Sequence, residues 1–269
     1  MNGTLTFLGT GTSMGVPTLG CFCAVCASAD AHDRRLRPSA LLRWQEPAAE
    51  SPLSVERAVV IDTGPDFREQ ALRGGVTHVD AVFYTHAHAD HILGMDDLRP
   101  LSFAAFRQGG PIPLYADAAT AAVLEKVFAY TFSPQATYPT RARVELKPLA
   151  GRNAVHGVEF VRIPLLHGEM PIAGFRFGNA AYMTDVSAIP EPSFALLKGV
   201  EVLVLSALRH KPHPTHANLE QSLAWARRIG ARQTLFTHIA HDLGHEETNR
   251  TLPANVRLAY DGLSVPVTL

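Results

Sequence analysis

The segment Tyr84-Thr85-His86-Ala87-His88-Ala89-Asp90-His91 constrains the fold of this chain more than any other. It follows at once on residues 79–84, an apolar run of the kind that forms a short buried strand. His86 and His88 are two apart, so an extended backbone points them to one side. Asp90 and His91 come where the chain would turn and offer a second set of donors. Neutral imidazoles with a carboxylate suit zinc, manganese or iron. The plain alternative is a solvated loop holding histidines by chance. Candidate ligands spaced by small alanines, directly after a buried strand, argue against it. His167, Asp185 and His238 each stand just past an apolar run, at 163–166, 181–184 and 234–237. Ligands in α/β proteins gather at such strand ends. Singly, each of these reads as a hydrogen-bonded loop residue. Together with the first cluster they supply five His and two Asp.

Such a site needs a core to stand on, and 46% of the 269 residues are apolar. Strands are expected at 5–8, 39–44, 58–61, 79–84, 144–149, 155–166, 172–177, 181–184, 201–205 and 234–237. Helices are expected from Pro65 to Gly74, over 118–129, and from Asn218 to Gly230, where Asn218 and Gln221 resemble a capping box. Residues 45–56, rich in Pro, Glu and Ser, read as an exposed hairpin tip or insertion, and Asp261-Gly262 as a hairpin turn. No repeat or linker interrupts 1–269, which reads as a single domain. Two groups of strands mixed with helices suit two sheets packed face to face with helices outside.

The net charge of −1 lacks the basic surplus of a protein whose main partner is long nucleic acid. The N-terminus lacks the pattern of a signal peptide, and no apolar run approaches the ~20 residues that span a bilayer. The expectation is a cytoplasmic protein with no membrane partner. A homodimer is compatible with the sequence.

The three cysteines crowd into Cys21-Phe22-Cys23-Ala24-Val25-Cys26. They do not suit an extracellular disulfide framework. Three unrelated thiols are one reading. A zinc knuckle lacking its fourth ligand is the better one. His241, three residues after His238, is the best candidate for that ligand, with His32, His213 and His245 behind it.

With these residues in view, the chain resembles the metallo-β-lactamase superfamily, whose signature is His-x-His-x-Asp-His followed by separate His, Asp and His ligands. The likeness runs from about residue 4 to about residue 262 and implies an αβ/βα four-layer sandwich. It implies that His86, His88 and His167 hold one metal ion, that Asp90, His91 and His238 hold the other, and that Asp185 bridges them. Manganese or zinc is expected, with Asp90 also counted as catalytic. Two divalent ions, two carboxylates and a bridging hydroxide leave a positive centre that favours an anionic substrate. In the superfamily an aspartate such as Asp62, in Ile61-Asp62-Thr63-Gly64, supports the metal-binding loop; a turn-capping Asp is the plain alternative.

Gly9-Thr10-Gly11, Gly15-Val16-Pro17, the cysteine knuckle and Thr237-His238-Ile239-Ala240-His241 narrow the resemblance. They are similar to the phosphoribosyl 1,2-cyclic phosphate phosphodiesterase family of the carbon–phosphorus lyase pathway. That likeness implies a structural zinc on Cys21, Cys23, Cys26 and His241. It also implies an active-site His placed 22 residues before the late metal ligand, which here is His216. A His near neutral pKa can protonate a leaving alkoxide. His216 is therefore the expected general acid, with His213 the alternative and a surface helix-start histidine the plain reading. The expected substrate is a small cyclic sugar phosphate, a phosphodiester. The insertion at 45–56 and Met95-Asp96-Asp97-Leu98-Arg99-Pro100 depart from the family pattern. Two other functions fit less well. A ribonuclease Z-like nuclease should carry a basic protruding arm, and none is visible. A non-catalytic carrier of the cofactor-biosynthesis branch should have lost ligands, and all are present. A lactamase or thioesterase gains nothing from the knuckle. The loop at 9–13 reads either as a phosphate cradle or as a tight strand-end turn. His78, His156 and His245 read as ordinary surface or core residues.

Overall fold

The computed structural model describes residues 1–47, 54–135 and 138–269. Its strands are β1 (Asn2–Gly9), β2 (Ser39–Pro47), β3 (Ser54–Ile61), β4 (Ala81–Phe83), β5 (Ile112–Ala116), β6 (Val144–Pro148), β7 (Arg152–Val155), β8 (Val158–His167), β9 (Met170–Phe177), β10 (Ala180–Met183), β11 (Val202–Ser206), β12 (Gln233–Thr237), β13 (Val256–Leu258) and β14 (Ser264–Thr268). The α-helices are α1 (Phe67–Arg73), α2 (Ala89–Ile92), α3 (Arg99–Gln108), α4 (Ala118–Val127), α5 (Ala129–Phe132), α6 (Glu191–Leu196), α7 (Leu219–Ile229) and α8 (His245–Asn249).

The strands form two seven-stranded sheets, ordered β14-β1-β2-β3-β4-β5-β6 and β13-β12-β11-β10-β9-β8-β7. Each sheet is antiparallel over one half and parallel over the other. The inner faces meet in a core that includes Phe7, Phe83, Phe160, Phe175 and Phe177. Phe83 stacks on Phe160 at 4.4 Å and on Tyr115 at 4.5 Å, joining the sheets through aromatic faces. The outer faces bury second apolar layers, one with Phe67, Leu98 and Leu124 from the helical side and one with Leu219 and Ala226 of α7. This is the αβ/βα sandwich. Among the described residues no helix is long and apolar enough to cross a membrane.

Local chemistry accounts for the best-defined helix. The Asn218 side chain accepts from the Gln221 N–H while the Gln221 side chain accepts from the Asn218 N–H, and Gly230 closes the helix at φ 71°. Elsewhere the structure departs from the sequence expectations. The expected strand at 155–166 is two strands, because His156 and Gly157 both take positive φ and fold a tight hairpin. Residues 45–47 and 54–56, expected in a hairpin tip, continue the β2–β3 ladder, and 48–53 lie outside the described residues. Asp261-Gly262 turns the chain but makes no hairpin, since β13 and β14 lie in different sheets.

Replacing the cap, Asn218→Ala, should cost about 1 kcal/mol, read as a lower urea midpoint at unchanged slope.

Candidate functional site

The parallel halves of the two sheets aim their C-terminal ends at one region. β3 delivers Asp62, β4 the loop to His91, β10 Asp185, β11 the loop to His216 and β12 His238. Asp62, Asp185 and His238 all take left-handed backbone, with φ of 61°, 58° and 54°. Such conformations are disfavoured outside glycine and gather where side chains must be aimed.

His86, His88 and His167 form one group whose ligand atoms lie within 4.8 Å of one another, and Asp90, His91, Asp185 and His238 form a second. Asp185 also groups with His167 and His216, so it stands between the two. His238 Nε2 is 3.1 Å from Asp185 Oδ2, and His91 Nε2 is 3.4 Å from Asp185 Oδ1 and 3.3 Å from Asp90 Oδ2. The neighbouring groups fix the ring orientations. Asp62 accepts from His91 Nδ1 at 2.7 Å and from the Thr85 N–H and hydroxyl at 2.8 Å each. His167 Nδ1 donates to the Thr215 carbonyl at 2.6 Å. A carboxylate or carbonyl behind an imidazole is the arrangement that directs its other nitrogen at a metal. Close packing completes the framework. A Cβ on Gly64 would meet the Asp90 carbonyl at 2.1 Å, so glycine alone lets this turn press against the ligand loop.

Electrostatics and geometry together fit a divalent metal. Burial works against charging His91, yet Asp185, Asp90 and Asp62 outweigh it and hold the imidazole well above its ordinary range. Burial opposes His238 too, and Asp185 with Asp90 pushes it up to about 9. Asp185, buried beside His238 and His91, is held well below the usual carboxylate range. Even so, the buried atoms His86 Nε2, His91 Nε2, His238 Nε2 and Asp90 Oδ2 complete no hydrogen bond. Buried polar atoms without partners are costly. Convergent nitrogens and carboxylate oxygens that fail to satisfy each other are what metal ions would bring into balance.

His216 lies against this group. Its ring stacks on His238 at 4.8 Å, and its Nδ1 is 3.9 Å from Asp185 Oδ2. Burial, reinforced by His238, pushes it down to about 3. His213, the alternative acid, packs on His216 at 5.1 Å, with its Nδ1 accepting from the Thr215 N–H at 3.3 Å. Thr215 is a functional residue that sequence reasoning missed, since a backbone carbonyl leaves no signature.

Sγ atoms of Cys21, Cys23 and Cys26 lie 3.1, 3.3 and 3.4 Å from His241 Nδ1. A tetrahedral zinc with ordinary bond lengths separates S and N by about 3.6 Å, so the donor set is of the right size. A hydrogen bond from the Cys26 N–H pulls Cys23 down to about 6, favouring thiolate. His32 and His245, the weaker candidates for this site, lie together elsewhere, and His213 lies beside His216. Arg35 ties the knuckle side to the site. Fully buried, it donates to Asp33 at 2.8 Å and to the carbonyls of Ala240 and Leu243 at 3.0 and 2.7 Å, on either side of His241.

In the loop at 9–13, the amides of Thr10 and Gly11 are spent on packing. Thr10 N–H donates to Asp261 and Gly11 N–H to the Leu36 carbonyl, while the Thr10 carbonyl accepts from Ile239 N–H at 2.9 Å. These bonds make it a strand-end turn that braces the segment after His238. His78 and His156 sit in a surface cluster around Asp80, at 3.8 and 3.4 Å.

Residues 57–239 match the family model of the beta-lactamase superfamily domain. The chain belongs to the metallo-β-lactamase superfamily. It is similar to a crystal structure described as a new diphosphatase from the PhnP family, at 51% identity and a TM-score of 0.89, covering 99% of this chain and 97% of that one. It is 35% identical over 261 residues to the octanoyltransferase of Porphyromonas gingivalis, covering 95% of this chain and 50% of that protein. The chain thus spans about half the length of that curated relative. The zinc-bound PqqB of Methylobacterium extorquens shares the fold, with a TM-score of 0.72 at 18% identity over 97% of this chain and 99% of that one.

Asp62→Ala should weaken metal binding ~10–100-fold in chelator competition, because His91 loses its orienting partner. Cys23→Ala should lower zinc content and melting temperature more than it alters the active-site chemistry. Full zinc with full stability in that variant would remove the case for a structural zinc.

Proposed function

We propose that the chain is a dinuclear metal-dependent phosphodiesterase whose substrate is a small cyclic sugar phosphate. The observation that carries this is the convergence of two candidate ligand groups through Asp185, with His216 alongside. Superfamily membership supports a metal-dependent hydrolase, and the diphosphatase neighbour supports attack at phosphorus.

His86, His88 and His167 would hold one ion, Asp90, His91 and His238 the other, and Asp185 would serve both. Bound divalent ions, manganese or zinc, supply Lewis-acid charge for the phosphate oxygens and acidify water. The chain's residues do the rest. Asp62 and the Thr215 carbonyl fix the His91 and His167 rings, and strand-end strain at Asp185 and His238 aims those side chains. His216 starts neutral in its buried position. A bound phosphate anion beside it favours the imidazolium, which then donates its proton to the leaving alkoxide. Cys21, Cys23, Cys26 and His241 would hold a structural zinc, which would keep the segment after His238 in place.

A second reading comes from the octanoyltransferase relative, which supports an acyl substrate. The same metals would polarise a thioester carbonyl.

Metal-reconstituted protein should hydrolyse bis(p-nitrophenyl) phosphate, and Asp185→Ala should abolish the activity. His216→Ala should spare this substrate, whose leaving group needs no proton, yet slow a cyclic sugar phosphate by ~10²–10⁴. Turnover of an octanoyl thioester with no phosphodiester cleavage would favour the second reading. Cleavage of a disubstituted diphosphate in preference to the cyclic ester would move the substrate to the diphosphate class.

A further inference from the structure

One more cluster of metal-ligating side chains stands apart from these sites among the described residues. His32 lies in the short turn Ala31–Asp33, and His245 and Glu246 open α8. One ring nitrogen from each His and one Glu246 oxygen lie within 4.8 Å of one another. His245 is only 6% exposed, and its Nδ1 has no hydrogen-bond partner. Asp30 Oδ1 is 3.3 Å from His32 Nδ1, a carboxylate behind an imidazole that leaves Nε2 as the donor.

The scaffold under the cluster is fixed. Asp33 Oδ1 accepts from the His245 N–H at 2.8 Å and from Arg35 at 2.8 Å, joining the two halves through one carboxylate. The rings of His32 and His245 are 4.6 Å apart, and Tyr260 lies 4.2 Å from His32. Aromatic packing explains those ring contacts. It does not explain a buried, unpartnered ring nitrogen or the carboxylate that closes the group. A cavity of about 630 Å³ is lined in part by His245, Glu246 and Tyr260, so two of the three residues face open space.

We propose that His32, His245 and Glu246 form an additional site for one divalent ion of the zinc type, with a coordination position left to water. Two imidazoles and a carboxylate form a donor set that suits zinc. The ion would join α8 to the segment carrying Arg35, which itself grips the carbonyls on either side of His241. The site therefore acts on the stability of the loop behind the active centre and supplies no reacting group.

The test is zinc content per chain after equilibrium dialysis of holoprotein against excess zinc, for the wild type, H32Q, E246Q and the double variant. The wild type should hold one more zinc than the double variant, and each single variant should bind that ion at least ~10-fold more weakly. Added zinc should raise the melting temperature of the zinc-loaded wild type and leave that of the double variant unchanged. Glu246 is exposed, so E246Q separates loss of the ion from loss of the fold. Equal zinc content in all four proteins, or an equal melting shift, would overturn the proposal.

Discussion

The site depends on the burial of charge. Asp62, Asp90 and Asp185 are withdrawn from water at the meeting point of two sheets, together with His91 and His238. Each buried ion costs several kcal/mol in lost hydration. Mutual attraction repays this only where every lone pair finds a partner, and here several do not. The polypeptide therefore carries a cluster that is only partly balanced by its own side chains. Metal ions would complete it, and their binding would then be linked to the stability of the strand ends that carry the candidate ligands. The left-handed backbone at Asp62, Asp185 and His238 belongs to the same balance, since local strain persists where surrounding structure over-determines it.

Support for this cluster comes from residues with no chemistry of their own. Asp261 accepts from the Thr10 N–H and hydroxyl and from the Leu36 N–H, so one carboxylate at the turn into β14 organises the end of β1. Thr10 in turn receives the Ile239 N–H, one residue past His238. Arg35 reaches the following carbonyls from below. The segment between His238 and Leu243 is thereby held from the first strand, from the buried arginine and by the cysteine knuckle. Breaking the Arg35–Asp33 pair would leave a buried charge unpaired, a loss of ~3–5 kcal/mol that would fall on this segment first.

Much of this was legible in the sequence because ligand side chains are distinctive and strand-ending positions can be read from apolar runs. His86, His88, Asp90 and His91 follow β4, while His167, Asp185 and His238 stand at the ends of β8, β10 and β12, yet the structure brings all seven together. The helix from Asn218 to Gly230 was legible because both ends carry side-chain or glycine signals. β5 and β14 were not, because Pro113 and Pro266 interrupt runs that otherwise alternate. The hairpin at His156-Gly157 was missed because His replaces the Asn or Asp that usually marks such a turn. Thr215 acts through a backbone carbonyl, which has no sequence pattern, and the turn signal at Asp261-Gly262 says nothing of the Thr10 and Leu36 groups that its carboxylate accepts from.

Thr215 joins ligand geometry to proton transfer. Its carbonyl orients His167, its N–H and hydroxyl approach His213 Nδ1 at 3.3 Å, and His216 follows it in the chain. Gly168, at φ 61°, lets the chain after His167 pass close by, where a Cβ would lie 3.0 Å from the Thr215 methyl. The loop after β11 is therefore tied to the His167 ring through that hydrogen bond. A shift of His216 that broke this bond would also free the ring of His167, a candidate metal ligand. One backbone carbonyl thus ties the position of His216, the proposed proton donor, to the shape of the candidate metal centre.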